Sequence, residues 1–248
     1  MKVGILGTGN IGKTLARKLS AVGYDVYVAN SRGPETISAE LTECGARAAT
    51  SEDAIADAQV VILSTPLSSI VAIAPLLVGL PADTIIIDTS NYYPQRDGRI
   101  DAIEAGQVES EWVSEQLGRP VAKAWNSIGA GSFAKKGKPA GSPDRIAIPV
   151  SANNKRDCNV AMVLVQDTGL DAVKAGTLAE SWRQQPGAPC YCTDLTRNEI
   201  PAALAAAERS RLPKRRDLAM SAIAERVGGR TTTLDIEHTV RLTRALFM

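Results

Sequence analysis

The chain has a single histidine, His238, and its four cysteines, Cys44, Cys158, Cys190 and Cys192, form no C-x-x-C or Cys/His cluster. That leaves no ligand set for a zinc site, and Cys190-Tyr191-Cys192 reads as two reduced thiols in a loop. The formal net charge is only +1 over 248 residues, too small for whole-domain attraction to nucleic acid or an acidic membrane. No apolar run approaches the length of a membrane span, and the first strand begins at residue 2, with no room for a cleavable signal. These absences predict a soluble, cytoplasmic protein with no metal, nucleic-acid or membrane partner.

What is present is concentrated in the first 32 residues. Val3 to Leu6 is an apolar run that reads as a short buried strand, and Gly7-Thr8-Gly9-Asn10-Ile11-Gly12 follows with G-x-G-x-x-G spacing. Gly7 allows a tight turn, Gly9 lets a pyrophosphate approach the backbone, and Gly12 lets the next helix lie close to the strand. The amides that open that helix then face the anion. Leu15, Leu19 and Val22 recur at helical spacing, Gly23 is a C-cap, and residues 25–29 make a second strand. A complete βαβ unit raises the motif above a chance glycine run; the bland alternative is a βα turn without a ligand.

Position 30 refines the nucleotide. NAD-binding proteins of this type carry Asp or Glu at the end of the second strand to bind the ribose 2′-hydroxyl, whereas this chain has Asn30. Asp25 precedes the strand and is too early to substitute. Ser31 can donate a hydrogen bond to a 2′-phosphate, and Arg32 can offer a planar, charge-assisted fork. Hydrogen bonds to charged groups contribute about 1.5–3 kcal/mol, so the pair can favour NADP over NAD by roughly tenfold to a hundredfold. Arg32 as a solvated loop residue beside Gly33-Pro34 is the competing reading.

The rest of the chain repeats the α/β alternation. The pattern predicts a helix from Pro34 to about Cys44, a minimal strand over 47–49, a short helix from Thr50 to Ala58 and apolar strands over 59–63 and 84–88, with a helix over 68–78 between the two. Near-continuous apolar strands mean burial on both faces, as in a parallel sheet covered by helices. A sixth strand over 121–124, a strand over 145–150, a helix over 155–168 and a strand over 171–174 follow. The fold class is therefore α/β, a Rossmann-type doubly wound, mostly parallel sheet with a small C-terminal helical region. We divide it as a nucleotide-binding domain, 1–175, and a helical extension, 176–248. Helices are expected over 178–182, 199–209, 218–227 and 236–246, with Gly228-Gly229 separating the last two.

Polar residues cluster at the strand ends: Ser64, Thr65 and Pro66; Asp88 to Asn91; and Trp125, Asn126 and Ser127. Ligands bind outside the carboxyl ends of such strands, near the switch point, so these tips are expected to line one crevice with the glycine turn. Each residue alone is equally a cap or turn former. Residues 130–143, rich in Gly, Lys and Pro, read as a mobile loop over the crevice, either a lid or a plain connection. The basic run 209–216 contains Pro213 and reads as a solvated link between helices.

Together, Gly7 to Gly12, Asn30-Ser31-Arg32-Gly33-Pro34-Glu35, Asp88-Thr89-Ser90-Asn91 and Val121-Ala122-Lys123-Ala124-Trp125-Asn126-Ser127-Ile128 resemble the coenzyme F-420-dependent NADP oxidoreductase family, in its broad bacterial form, over about residues 1–195. The resemblance implies pyrophosphate binding at Gly7, Thr8, Gly9, Asn10, Ile11 and Gly12, with Asn30, Ser31 and Arg32 around the 2′-phosphate. It places Ser64, Thr65 and Pro66 beside the adenosine or ribose, and Asn91, Ala124, Trp125 and Asn126 near the nicotinamide. It also implies NADP(H), with coenzyme F-420 or a flavin as second substrate, hydride passing directly between two rings without a catalytic residue of the protein. Trp125, Tyr92, Tyr93 and Trp182 can stack on such a ring or simply pack.

Residues 196–248 extend beyond the compact form of that family and are expected to shape the second pocket or a homodimer contact. Two other functions compete: reduction of a small imine or carbonyl, and a non-catalytic NADPH-binding redox sensor. The former needs a proton donor, for which no side chain stands out; His238, on a C-terminal helix, reads as a surface or interface residue.

Overall fold

A computed structural model describes residues 1–227 and 235–248; Gly228-Gly229 lies outside the described residues. Eight strands form one sheet: β1 (Lys2–Leu6), β2 (Asp25–Ala29), β3 (Arg47–Ala48), β4 (Val60–Leu63), β5 (Ile85–Asp88), β6 (Ala122–Lys123), β7 (Ala147–Ala152) and β8 (Asp171–Lys174). Their order is β3-β2-β1-β4-β5-β6-β7-β8, with every neighbour parallel except β6 and β7. The chain order reverses between β1 and β4, which puts the switch point at the end of β1.

The apolar strands are buried on both faces because their residues alternate between two cores. Val60, Ile62, Ile85 and Ile87 join one with Leu15 and Leu19 of helix Asn10–Ala21 and Leu164 of helix Lys155–Asp167. Val61, Leu63 and Ile86 join the other with Ile55, Leu77 and Val113 from helices Ser51–Ile55, Ile70–Leu77 and Glu109–Leu117. Helix Ser51–Ile55 lies so near β1 that a Cβ on Gly4 would meet the Ala54 carbonyl oxygen. Thr50 caps this helix by accepting from the Asp53 amide, and the helix stops at Ile55, short of the expected Ala58.

Three expectations change. The helix expected from Pro34 to Cys44 is two pieces, a 3₁₀ turn Pro34–Thr36 and a helix Ala39–Glu43, because Ile37 and Ser38 are extended between them. Residues 130–143 are not a mobile loop over the crevice at their start, where Ala130–Lys135 is helical and anchored by the fully buried Phe133. Lys18 sits 5.6 Å above that ring, and Arg17 donates to the Ala134 carbonyl. The basic run is not a solvated link either. Helix Leu212–Val227 begins within it, and Arg215 and Arg216 are buried, Arg216 lying 5.4 Å over the Tyr92 ring and bonded to Asp217. Pro213 falls in the first turn of that helix, where a missing amide costs nothing.

The carboxyl-terminal helices Ile200–Ala205, Leu212–Val227 and Ile236–Phe247 share a third core with the sheet. Ala147 of β7 packs there with Tyr191, Leu195, Leu212 and Phe247. The Ala147 amide donates to the Leu195 carbonyl, so the segment after residue 176 covers the edge of β7 that β6 leaves unpaired.

Candidate active site

At the carboxyl ends of β1, β4, β5 and β6 a crevice of about 340 Å³ runs from Gly9 and Asn10 past Ser64, Thr65 and Asn91 to Tyr93 and Tyr191. Its first end is made of backbone. Gly7 has φ +108°, and a Cβ there would run into the Ser64 carbonyl; a Cβ on Gly12 would lie 1.9 Å from the Gly7 carbonyl oxygen. These two glycines close the turn on itself, whereas a Cβ on Gly9 would meet nothing within 4 Å. Open space thus lies over Gly9, beside the first amides of helix Asn10–Ala21. No side chain caps that helix, and its first turn has no acidic residue. Uncapped amides and the positive end of a twelve-residue helix face the opening.

Past β2, Asn30 organises the neighbouring loop. Its amide donates to the Thr8 and Thr36 hydroxyls, and its oxygen accepts from the Arg32 amide at 2.8 Å. Ser31 and Arg32 are exposed. The Arg32 guanidinium makes no hydrogen bond or ion pair with the described residues.

The floor under the crevice is charged and dry. Lys123, fully buried, donates to Asp88 at 2.6 Å and to the Ser90 carbonyl at 2.5 Å, while Asp88 accepts from the Ser90 amide. This pair shapes the turn that carries Ser90 and Asn91. Behind it, Glu109 accepts from the Tyr92 amide, and burial pushes its carboxyl up to about 7 despite nearby Lys123 and Arg216.

The far wall is a relay of amides from distant segments. Asn91 donates to the Asn126 carbonyl, Asn126 donates to Asn91 and to the Gln184 carbonyl, and Gln184 donates back to Asn126. Ser151 of β7 donates to the Gln184 side chain. The Asn91 and Asn126 amides are thereby committed to each other and hold the wall. Beside them the Tyr93 and Tyr191 hydroxyls meet at 2.6 Å. Trp125 and Cys192, both lining the crevice, carry left-handed φ of +55°, a conformation that costs of order 1–3 kcal/mol each.

The structure brings Gly9, Asn10, Ile11, Ser64, Thr65, Pro66, Asn91, Trp125 and Asn126 to one crevice. Gly7, Thr8 and Gly12 form the turn at its end; Asn30, Ser31 and Arg32 extend it past β2. Ala124 is wholly buried beneath the wall. Stacking is corrected for two aromatics. The Trp125 indole is in the core, its Nε1 donating to Thr168, and Tyr92 is 1% exposed with its hydroxyl on Glu104. Trp182 lies under Arg183, outside the crevice, leaving Tyr93 of the four. Tyr191, Gln184 and Glu109 had no role in the sequence reading, which placed Asp88 among the strand-end residues but did not pair it with Lys123. The rigid Pro186-Gly187-Ala188-Pro189 just before Tyr191 was the available signal.

Sheet order and glycine turn define the class, a Rossmann-type fold with a crevice at its switch point. Residues 2–92, the amino-terminal part of the chain, match the family described as NADP oxidoreductase, coenzyme F420-dependent. It is similar to the hypothetical protein SMa0349 of Sinorhizobium meliloti, 30% identical with a TM-score of 0.68, covering 79% of this chain and 96% of that one. A protein from Arthrobacter sp. FB24, assigned as an F420-dependent NADP-reductase, shares the fold at 23% identity and a TM-score of 0.56, covering 73% of this chain and 87% of that one. The protein YjhV of Escherichia coli (strain K12) is 50% identical over 56 residues, 23% of this chain. The match spans 41% of YjhV, about two fifths of its length. Among the described residues no helix is long and apolar enough to cross a membrane.

Proposed function

We propose that the protein transfers hydride between NADP(H) and a planar redox partner, a deazaflavin or a flavin-like ring. The observation that carries this reading is the open, uncapped glycine turn continuous with the crevice. The residues fit the nucleotide. Two buried hydroxyls along the crevice, on Thr65 and Ser90, have no partner among the described residues, and a polar ligand satisfies them. In this reading Gly7 to Gly12 hold the pyrophosphate, and Ser31 and Arg32 hold the 2′-phosphate. Thr8 is oriented by Asn30. Ser64, Thr65 and Pro66 flank the ribose, while Asn91, Ala124, Trp125 and Asn126 form the wall against the nicotinamide. The nucleotide supplies the hydride; the protein supplies proximity, orientation and a dry floor.

The division at residue 175 belongs to the same proposal, the later segment contributing Gln184 and Tyr191 to the acceptor side. A homodimer is also part of it. Reduction of a carbonyl or imine is the second reading, favoured by the hydroxyl pair at the far end. The test titrates NADPH by fluorescence and then follows absorbance near 340 nm with coenzyme F-420, flavins and small carbonyls. Oxidation with ring acceptors is expected; binding without oxidation by any acceptor would leave only a sensor, and no binding would remove the reading altogether.

A further inference from the structure

We propose that Tyr93 and Tyr191 form a proton-delivering pair for a carbonyl or imine acceptor in the crevice, a role that rests on the hydride-transfer reading above. Both line the crevice, and their hydroxyl oxygens are 2.6 Å apart. Two hydroxyls share two protons, and one proton occupies the bond between them. The second proton stays on the accepting hydroxyl, outside the bond between the rings, with the Cys192 thiol beside Tyr191. Neither phenol ionises near neutral pH, because burial raises both, Tyr191 well above its ordinary value. The pair is charged with protons at rest.

The placement is held at some cost. Tyr191 directly precedes Cys192, one of the left-handed residues, and follows the Pro186 to Pro189 turn, in which Gly187 has φ +93° and a Cβ would hit the Leu212 carbonyl. Its ring belongs to the third core, with Ala188 and Ile200 among the members. Tyr93 comes from the other side of the site, 98 residues away, its amide held by Asp97 and its ring 5.2 Å from the Arg96 guanidinium. That cation is itself paired with Asp97 and bonded to the Asn91 carbonyl, and it fixes the ring rather than reaching the hydroxyl.

The balance is simple. As hydride from the dihydronicotinamide reaches the acceptor carbon, the acceptor's π pair moves onto its oxygen or nitrogen. One tyrosine O–H breaks and its proton goes to that atom. The phenolate left behind regains a proton through its partner and solvent. The alkoxide or amide anion formed from a carbonyl or imine is more basic than either phenol, so that transfer runs downhill; a reduced deazaflavin or flavin anion is delocalised over its ring, is less basic than a phenolate and draws no proton from the pair. The substrate class is an acceptor whose reduced oxygen or nitrogen is strongly basic: a carbonyl or an imine.

The test compares two probes. An aryl aldehyde needs hydride and a proton, whereas N-methylacridinium needs hydride alone. Tyr191→Phe and Tyr93→Phe, which keep the packed rings, are expected to lower kcat on the aldehyde about a hundredfold and to leave N-methylacridinium reduction within about threefold. The KM for the aldehyde rises about fivefold; NADPH binding is unchanged. Equal losses on both probes, or no loss on the aldehyde, would overturn the proposal and leave the hydride-transfer reading standing. NADPH binding in wild type without reduction of the aldehyde would also overturn it, and failure of wild type to bind NADPH would end both readings.

Discussion

The two ends of the crevice are built from opposite materials. At the glycine turn the surface is main chain, drawn from residues 7–12, with open space over Gly9 and an exposed Arg32 alongside that has no partner among the described residues. At the tyrosine end it is side chain, drawn from segments 35 to 98 residues apart, each polar group tied to another. The first end is unfinished without a ligand, and the second is finished by the fold. Changes at the first should therefore act on nucleotide affinity with stability intact, and changes under the second should act on stability first.

The largest effect is expected at the floor. Lys123→Met strands Asp88 as a buried, unpaired charge and should cost about 3–5 kcal/mol, read from urea midpoints; a loss below about 1 kcal/mol would show that the floor is wetter than it looks. Glu109 comes next. Its folded pKa of about 7 lies above the ordinary 4.5, so between those values the folded state holds the proton that the unfolded state releases. Stability from this group is whole below pH 4.5, falls as pH rises toward 7 and is flat above, about 3 kcal/mol in all. Glu109→Gln keeps an acceptor for the Tyr92 amide and should remove that slope. Urea midpoints at pH 5 and pH 8 that move in parallel for both proteins would place the titration elsewhere.

At the open end the same measurements should barely move. Gly9 has φ −71° and ψ −174°, which valine adopts freely. Gly9→Val should keep stability within about 0.5 kcal/mol while weakening NADPH binding roughly a hundredfold, about 2.7 kcal/mol. A variant that unfolds, or binds normally, would erase the contrast between the ends. Arg32→Ala sharpens it with the smallest effect: NADPH about tenfold weaker and NADH nearly unchanged. Equal losses for both nucleotides would take the 2′-phosphate away from Arg32.

Legibility followed the same divide. The glycine turn, the second strand and Asn30 to Arg32 lie within 32 consecutive residues, and their spacing is itself the geometry. The relay of Asn91, Asn126 and Gln184 joins three segments with no common period, and Asn126 alone reads as a turn former. The segment 130–143 misled because its Gly, Lys and Pro content outweighed one residue, Phe133, whose burial makes the helix. The arginines at 215 and 216 misled for a related reason: charge predicts solvent until a ring such as Tyr92 and a carboxylate such as Asp217 stand ready to receive it.

By itself the sequence determined the α/β alternation, the parallel character of strands apolar throughout, and the open glycine turn at one end of the crevice. Each of these rests on interactions between near neighbours in the chain: an apolar period, a capped helix, a turn only glycine can make. Tertiary structure alone decided what stands opposite that end. Whether a tyrosine is core, surface or proton donor depends on which distant segment faces it, and that is set by packing eight strands and three cores together.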